Sequence, residues 1–525
     1  MLRQDTPDRD AGAASLPPRL AALAAVCAGV MATVAMPPFR GTGWLIVPAL
    51  TLLFASLREA RRPALTGWLF GLAHQATLLH WLFLLGPEAP IASRVLVPVA
   101  AGSAILYASL YYLLFGWLAG RVARLHGGMA ALLATPVLWT LIETLRTVGE
   151  LGFPWCLSGL AMLQTPLYPL AQAGGEQALG TATAFLAALI ATLAVLRDRL
   201  PRAAVLALAA ATVLLWGGLA LFGINATLSH ADSPVRVAVV QADVALGDKW
   251  VAARMDSTLV PYTRLTASAA REGAELVIWA ETAVPAYLMY EPRLLRWVRA
   301  TADTNDIFLY TGYPDANLAA DGHQQRTNAS GLFAPDGKLR DRYAKHHLLP
   351  FGERMPFQAV LPWLGKIDLG QAEWEPGAPP APMDVRLDDG RALRLGGLIC
   401  YESIFPSLAR QAVRAGADVL VNITNDGWFG RTAGPVQHAE MARMRAAECG
   451  VPLVRCANNG ISYITDHKGA VRSSVGLGER GLLSEDISPG PRLTRYLAHG
   501  SWPLLFFLLT WTLVAIIVTA RGRAR

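Results

Sequence analysis

The residue that most strongly suggests chemistry is Cys400, which ends an apolar run at 393–400 and precedes Tyr401 and Glu402. A strand that passes into a helix here would expose the thiol and direct the helix N-terminus toward the sulfur. Such a setting lowers the pKa of a thiol and favours the nucleophilic thiolate. The alternative is a buried core cysteine, which is the common fate of free cysteines. The two polar residues that follow favour a nucleophile.

Two charged residues could assist such a thiol. Glu281 follows an apolar run at 276–280, and open α/β sheets bind ligands at the carboxyl ends of their strands. Lys345 lies in a mixed segment, 341–354, that also contains Glu353. Taken singly, a solvated strand-end acid and a surface lysine are the more ordinary interpretations. A catalytic role therefore depends on whether the fold brings these residues to the thiol.

A further segment, 421–430, predicts a strand that ends in an Asn-Asp-Gly turn. Two aromatic residues, Trp428 and Phe429, follow the turn. If they are exposed, they would contact a ligand or lipid. The alternative is that they pack back onto their own domain, and the sequence leaves both possibilities open.

These segments lie in a region, 233–489, where charges are frequent and short β-rich runs alternate with longer helix-like runs. That alternation predicts an α/β domain whose helices cover a sheet. The predicted strands are 235–241, 276–280, 307–312, 393–400, 419–424 and 453–458. The predicted helices are 252–271, 293–303, 406–415 and 437–448.

The composition of the whole chain indicates a membrane protein. Of its 525 residues, 53% are hydrophobic and 16% are charged, whereas soluble proteins carry about 25% charged residues. The net charge of +7 could suggest nucleic acid, but the arginines cluster beside apolar runs. That placement is typical of membrane topology, so we expect no nucleic-acid partner.

A helix needs about 20 apolar residues to cross the hydrocarbon core of a bilayer. Eight runs are candidates, at 20–36, 44–57, 64–85, 95–119, 129–145, 167–196, 203–222 and 502–520. The second run is short, and the sixth contains Gln172, Glu176 and Gln177. In the fifth, Glu143 would be costly in lipid unless paired, and Arg146 one turn later is its expected partner.

The distribution of arginines predicts the orientation. Arginines are frequent at both termini and in alternate loops, whereas the loops between these carry one arginine each. The positive-inside rule places both termini in the cytoplasm and the α/β domain outside it. A cleaved signal peptide is the alternative interpretation of the first run.

The five cysteines give no sign of a metal site. They include no CxxC pair and no Cys/His spacing typical of zinc, and adjacent His346 and His347 would point to opposite faces of a strand. We therefore expect no metal and no cofactor. The odd count argues against a disulfide framework, although Cys449 and Cys456 could pair.

The four segments around Glu281, Lys345, Cys400 and Trp428, in this order, resemble the nitrilase (carbon–nitrogen hydrolase) superfamily. The resemblance implies an α-β-β-α sandwich. It also implies that the Glu–Lys–Cys triad of the superfamily corresponds to the first three of these residues.

Seven spans, such a domain and one further span resemble the apolipoprotein N-acyltransferase family, as do Phe153-Pro154-Trp155 and Lys249-Trp250. The resemblance implies a polytopic α-helical protein of the bacterial inner membrane in three parts: spans in 1–232, a periplasmic catalytic domain in 233–489, and a final span and cytoplasmic tail in 490–525. Supporting residues would be Trp250, Glu353, Tyr401, Glu402, Trp428 and Phe429.

The implied reaction passes an acyl chain from a phospholipid to Cys400 as a thioester, and then to the α-amino group of a diacylated apolipoprotein. Glu281 would act as general base and acid. Lys345 would stabilise the oxyanion, together with a backbone N–H near Tyr401. A membrane-anchored amidase or nitrilase, or an inactive transporter or receptor domain, is the alternative. Eight spans argue against the first, since one anchor suffices, and an intact triad argues against the second.

The apolar segment 356–374 contains Phe357, Trp363 and Leu364, interrupted by Gly and Pro, and we interpret it as a loop that contacts lipid. Packing on its own domain is the alternative. We expect Trp363→Ser with Leu364→Ser to raise the apparent KM for lipid more than it disturbs folding, as measured by initial rates against lipid concentration. Loss of folding without a kinetic effect in the folded fraction would contradict the lipid contact.

Overall fold

The apolar N-terminal half of the chain is built from helices. The computed structural model describes residues 17–85, 95–196, 202–224, 234–318, 322, 324–367, 372–488 and 494–523. Its first helices are α1 (Pro18–Val34), α2 (Ile46–Glu59), α3 (Pro63–Leu78), α4 (Leu96–His126), α5 (Gly128–Leu145), α6 (Ala171–Leu196) and α7 (Arg202–Ile224). Proline begins α1 and α3, where its missing N–H would have no intrahelical partner.

The region that follows forms two six-stranded sheets. The strands are β1 (Val235–Gln241), β2 (Leu276–Trp279), β3 (Phe308–Leu318), β4 (Gln324–Phe333), β5 (Leu339–Ala344), β6 (Pro382–Arg386), β7 (Ala392–Ile399), β8 (Val419–Thr424), β9 (Leu453–Ala457), β10 (Ser462–Thr465), β11 (Val471–Val475) and β12 (Gly481–Ile487). The first sheet has the order β12-β1-β2-β3-β4-β5, and the second β11-β10-β9-β8-β7-β6. In each, three neighbouring strands are parallel and the flanking strands are antiparallel.

Helices cover the outer faces of the two sheets. They are α8 (Leu246–Lys249), α9 (Met255–Arg271), α10 (Pro292–Asn305), α11 (Pro406–Arg414) and α12 (Ala433–Cys449), and the chain ends with α13 (Arg495–His499) and α14 (Trp502–Arg523). One apolar core lies between the sheets and extends under α9 and α10. A second core joins α11 and α12 to the N-terminal helices. The domain is therefore an α-β-β-α sandwich with one outer helical layer against the apolar helices.

Each predicted apolar run corresponds to one helix among the described residues. Five of these, with the runs Leu96–His126, Gly128–Leu145, Tyr168–Ala194, Arg202–Leu221 and Trp502–Arg521, are long and apolar enough to cross a membrane. The first two helices are apolar but shorter. A membrane-spanning helical protein is thus supported, and the count of eight spans stays a prediction.

Some predicted boundaries were wrong. The third run was predicted to end at 85, but α3 ends at Leu78 and the chain continues as the 3-10 helix His80–Leu84. The fourth run was predicted to end at 119, but α4 extends to His126 and is ended by Gly127, whose φ is 89°. The proposed domain limits at 233 and 489 lie outside the described residues. Cys449 and Cys456 are both free and buried, so the possible pairing is absent.

The predicted pairing of Glu143 with Arg146 was also wrong. The carboxylate of Glu143 accepts hydrogen bonds from the backbone N–H of Ser158, at 2.6 Å, and from its hydroxyl, at 2.7 Å. Arg146 instead donates to the carbonyl oxygen of Trp155 at 2.7 Å. Ser158 begins the 3-10 helix Ser158–Gln164, where its backbone N–H has no partner within the helix, so it is free to bind the carboxylate in place of a direct ion pair.

A buried ion cluster joins α12 to α6. Arg445 lies 2.5 Å from Glu176 and 3.1 Å from Glu448, and Glu448 accepts the backbone N–H of Glu176 at 2.6 Å. All three side chains are almost fully buried. Burial raises the pKa of Glu448 to about 7, although Arg445 opposes the shift. The cluster therefore depends on its one arginine.

We expect Arg445→Leu to lower the free energy of unfolding by about 3–5 kcal/mol, because it leaves two buried carboxylates without their cation. Denaturant unfolding of the full chain in detergent micelles measures this change. Arg340→Leu, which removes an exposed pair with Asp336, is the matched control and should change stability by at most about 1 kcal/mol. Equal effects of the two substitutions would contradict the structural role of the cluster.

Candidate active site

The three predicted catalytic side chains follow the ends of three strands. Glu281 lies beyond β2, Lys345 directly follows β5, and Cys400 directly follows β7. Asn328, on β4, connects the first two: its amide Nδ2 donates to Glu281 at 2.7 Å and to Glu353 at 3.2 Å, and Glu353 contacts Lys345. The fold therefore gathers into one site residues that are far apart in sequence.

Glu281 is almost fully buried and is held at both carboxylate oxygens. One oxygen accepts the amide of Asn328, and the other accepts the backbone N–H of Asn425 at 2.8 Å. Burial raises the pKa of Glu281; the ammonium of Lys345 opposes the shift and Glu353 adds to it. A carboxyl with a raised pKa can exchange protons closer to neutral pH than an ordinary glutamate.

Lys345 is buried, and its ammonium lies 2.8 Å from Glu353. Burial alone would lower the pKa of Lys345, but Glu353, with Cys400 and Glu281, outweighs burial and raises it. The ammonium therefore stays charged at neutral pH. A fixed positive charge of this kind can stabilise an oxyanion.

Cys400 occupies a left-handed backbone conformation, with φ of 51°, at the start of the 3-10 helix Cys400–Ile404. Burial raises the pKa of its thiol, the charge of Glu281 raises it further, and Lys345 only partly opposes these effects. The expected lowering of this pKa was therefore wrong. A short 3-10 turn before Pro406 does not outweigh burial beside a carboxylate, so the thiol is protonated and needs a base.

Glu402 and Tyr401 support this strand-to-helix turn. The fully buried carboxylate of Glu402 accepts the backbone N–H of Ile399 at 2.7 Å and of His346 at 2.8 Å. It thus joins the Cys400 turn to the segment that carries Lys345. The hydroxyl of Tyr401 donates to the carbonyl oxygen of Gly152, in the connection between α5 and α6, at 2.9 Å.

Trp250 and Phe429 are two further residues that the sequence predicted to support the site. Trp250 is half exposed, and it is the adjacent Lys249 that is fully buried, with Nζ donating to the backbone carbonyl of Glu281 at 3.0 Å. Burial lowers the pKa of Lys249 to about 7. Phe429 packs on Trp81, with ring centroids 4.9 Å apart, so it folds back toward the apolar helices.

Three residues of the site were not predicted from the sequence as supporting residues: Lys249, Asn328 and Asn425. Asn425 begins the predicted Asn-Asp-Gly turn, and the end of a buried strand was a usable signal for it. Lys249 stands in the Lys249-Trp250 pair that resembles the family, whereas Asn328 lies in no predicted element. The contacts of both residues with Glu281 become visible only in the folded chain.

Two family profiles match the chain. The profile described as Carbon-nitrogen hydrolase matches residues 236–495, and that described as Apolipoprotein N-acyltransferase N-terminal domain matches residues 28–189. The apolipoprotein N-acyltransferase of Vibrio vulnificus is 32% identical over 501 residues, covering 93% of this chain and 94% of the relative. That of Azotobacter vinelandii is 34% identical over 504 residues and covers 94% of each chain.

Among solved structures, an amidase from Nesterenkonia sp. is 21% identical to this chain. The match covers 54% of this chain and 99% of the amidase, with a TM-score of 0.39.

We expect acyl transfer to be lost as the pH falls through the raised pKa of Glu281, because the protonated carboxyl cannot take the thiol proton. The acid limb of the rate–pH profile should therefore lie above about 4.3, the ordinary glutamate value. Lys249→Met removes a charge that lowers the pKa of Glu281, so it should move this limb to higher pH. An acid limb at the ordinary glutamate value, or one that Lys249→Met does not move, would contradict the prediction that Glu281 acts as the general base.

Proposed function

Because the chain belongs to the apolipoprotein N-acyltransferase family, we propose how its residues carry out the acyl transfer. The family predicted from the sequence is confirmed: the protein is an acyltransferase with a carbon–nitrogen hydrolase domain, and it N-acylates lipoproteins. We propose that the acyl donor is a phospholipid and that Cys400 carries the acyl chain. The arrangement of Glu281 and Lys345 about this thiol supports the proposal most directly.

In the first half-reaction, the carboxylate of Glu281 takes the thiol proton of Cys400. The sulfur then attacks the ester carbonyl of the phospholipid, and the charge that develops on the oxygen faces the ammonium of Lys345. When the carbon–oxygen bond breaks, Glu281 returns its proton to the leaving alkoxide. The products are a thioester on Cys400 and a lysophospholipid.

In the second half-reaction, the N-terminal amine of the diacylated apolipoprotein attacks the thioester. Glu281 accepts a proton from the amine, and the thiolate leaves as the amide forms. The same proton then restores the thiol of Cys400. Because the lysophospholipid leaves before the second substrate reacts, the scheme predicts ping-pong kinetics.

Glu353 would hold the ammonium of Lys345 in place for both steps. Its carboxylate contacts Lys345 and also accepts the backbone N–H of Leu349 at 2.7 Å and the amide of Asn328. These bonds fix the direction of the positive charge before either substrate binds. Preorganised charge of this kind stabilises a transition state without reorganisation during the reaction.

Lipid access is supported by the loop that contains the 3-10 helix Pro362–Lys366. None of the five residues of this helix is buried, and Val360 beside it is 76% exposed. The backbone N–H of Phe357 donates to Glu150, in the connection between α5 and α6, at 2.6 Å. Exposed apolar side chains next to the ends of apolar helices are suited to contact with lipid.

The arginine distribution supports the proposed orientation, with both termini in the cytoplasm and the catalytic domain on the outer, periplasmic side of a bacterial inner membrane. Both substrates would then reach the site from the outer leaflet.

The decisive experiment is mass spectrometry of the purified full chain after incubation with a synthetic phospholipid. We expect the peptide that contains Cys400 to gain the mass of one acyl chain and to lose it when a diacylated lipopeptide is added. Cys449→Ser, which changes a buried cysteine away from the site, is the control and should keep the adduct.

Two results would overturn the mechanism. One is the absence of any adduct in an enzyme that turns over normally. The other is near-normal turnover by Cys400→Ser, since a serine hydroxyl is a much weaker nucleophile than a thiol.

A further inference from the structure

Side chains with no part in the steps above hold the backbone of Cys400. Its φ of 51° is uncommon for a residue other than glycine, and such conformations persist where the surroundings fix them. The carbonyl oxygen of Cys400 accepts the hydroxyl of Ser403 at 2.9 Å and lies 3.1 Å from Nε2 of His438. Nε2 and the hydroxyl oxygen of Ser403 are 3.2 Å apart. The three groups form one closed cluster at the base of the nucleophile.

The imidazole of His438 is itself fixed from its other nitrogen. Nδ1 lies 2.9 Å from the carboxylate of Asp426, which also accepts a hydrogen bond from Arg455 at 2.7 Å and from the hydroxyl of Thr424 at 2.9 Å. These side chains are all buried. Burial would raise the pKa of Asp426, but Arg455 and His438 outweigh it and lower the pKa to about 2. Asp426 is therefore a permanent anion that holds Arg455, whose Nη2 also lies 3.1 Å from Nδ1 of His438. Burial and the charge of Arg455 lower the pKa of His438, so the ring is neutral and carries one proton. With Nδ1 accepting from Arg455, that proton lies on Nε2, which can donate to the carbonyl oxygen of Cys400.

The residue before His438 anchors α12 to the apolar helices. The side-chain oxygen of Gln437 accepts the indole N–H of Trp155 at 2.7 Å and of Trp81 at 3.0 Å. Its amide nitrogen donates to the carbonyl oxygens of Pro37 at 3.1 Å and Leu78 at 3.3 Å. His438, the next residue along α12, thus contacts the backbone of Cys400, while Gln437 contacts three segments of the helical region that contains α1–α7 and their described connections, here called the membrane part.

The ring of Trp155 completes this connection. It lies nearly parallel to the imidazole of His438, with ring centroids 6.0 Å apart and an angle of 22° between the planes. The imidazole therefore lies between the membrane part on one side and the turn at Cys400 on the other. A shift of α12 would therefore move the imidazole of His438 and, with it, the turn at Cys400.

We propose that His438 is a positioning residue for acyl transfer, which holds the carbonyl of Cys400 and thereby the direction of the thiol. The inference rests on the proposed function, because it takes Cys400 as the acyl carrier. It extends that function by giving Gln437 and His438 a shared role. Together they hold Cys400 at a constant position relative to the membrane part, and the lipid substrates arrive from that side. Since His438 contacts no reacting atom, its loss should slow the chemical steps and leave lipid binding unchanged.

The test compares three variants of the full-length enzyme in vesicles of equal parts phosphatidylethanolamine and phosphatidylglycerol. His438→Ala removes both ring nitrogens and the contacts that they make. In His438→Gln the amide can reach the position of Nε2, beside Cys400, whereas in His438→Asn it can reach only the position of Nδ1, beside Asp426. The measured quantities are the rate of thioester formation on Cys400 and the lipid concentration that gives half the maximal rate.

We expect His438→Ala to form the thioester about 100-fold more slowly, the effect of a misplacement of about 1 Å, while half-saturation changes less than about twofold. His438→Gln should recover to within about tenfold of the wild-type rate, and His438→Asn should stay near the alanine variant. The comparison of His438→Gln with His438→Asn tests the positioning role even if the alanine variant does not fold, because both amide side chains fill most of the space of the imidazole ring.

The outcomes separate the two proposals. If the wild-type enzyme forms no thioester on Cys400, the proposed function fails. If it does, and His438→Ala matches its rate, the positioning role alone fails. Equal rates for His438→Gln and His438→Asn, or a change confined to half-saturation by lipid, would also overturn the positioning role.

Discussion

Buried carboxylates connect the two sheets at their ends, and the relative positions of Glu281, Lys345 and Cys400 depend on these connections. Glu402 follows a strand of the second sheet, and its carboxylate accepts backbone N–H groups from His346 and His347, just beyond the first sheet. Glu281 follows a strand of the first sheet and accepts the backbone N–H of Asn425, beyond a strand of the second. A buried charge without such donors is costly, so these bonds favour the one arrangement of the sheets that supplies them.

The two outer layers of the sandwich face different surroundings, which explains the composition of their helices. The helix α10 packs its apolar face on the first sheet and leaves charged residues exposed. In contrast, α12 is buried along nearly its whole length between the second sheet and the apolar helices. A helix buried on all sides needs partners for its polar groups, and Gln437, His438 and Arg445 find them on both sides. The same helix thereby contacts the backbone of Cys400 and joins the domain to the apolar helices.

Only part of this arrangement could be predicted from the sequence. The parallel strands β1, β2, β7, β8 and β9 are buried on both faces and read as continuous apolar runs, so their predicted ends agree to within one residue. The antiparallel strands β4–β6 and β10–β12 mix polar and apolar residues and were missed. Glu281 and Cys400 were singled out because each follows or ends such a run, whereas Lys345 follows the missed strand β5 and was singled out through the resemblance to the nitrilase superfamily. The roles of Asn328 and Lys249, and the raised pKa of Cys400, depend on contacts between distant parts of the chain, which no local pattern records.

The pairing of β1 with β12 has a consequence for biosynthesis. Val235 lies opposite Ile487, so the strand that opens the domain is completed by the strand that closes it. During translation, one edge of β1 stays open until the ribosome has produced almost the whole domain, and open edges pair readily with foreign strands. The last helix, α14, is synthesised after β12, so its insertion into the bilayer follows the strand that closes the first sheet. Closure of the first sheet and synthesis of the apolar helix that follows it are therefore successive events in the maturation of one polypeptide.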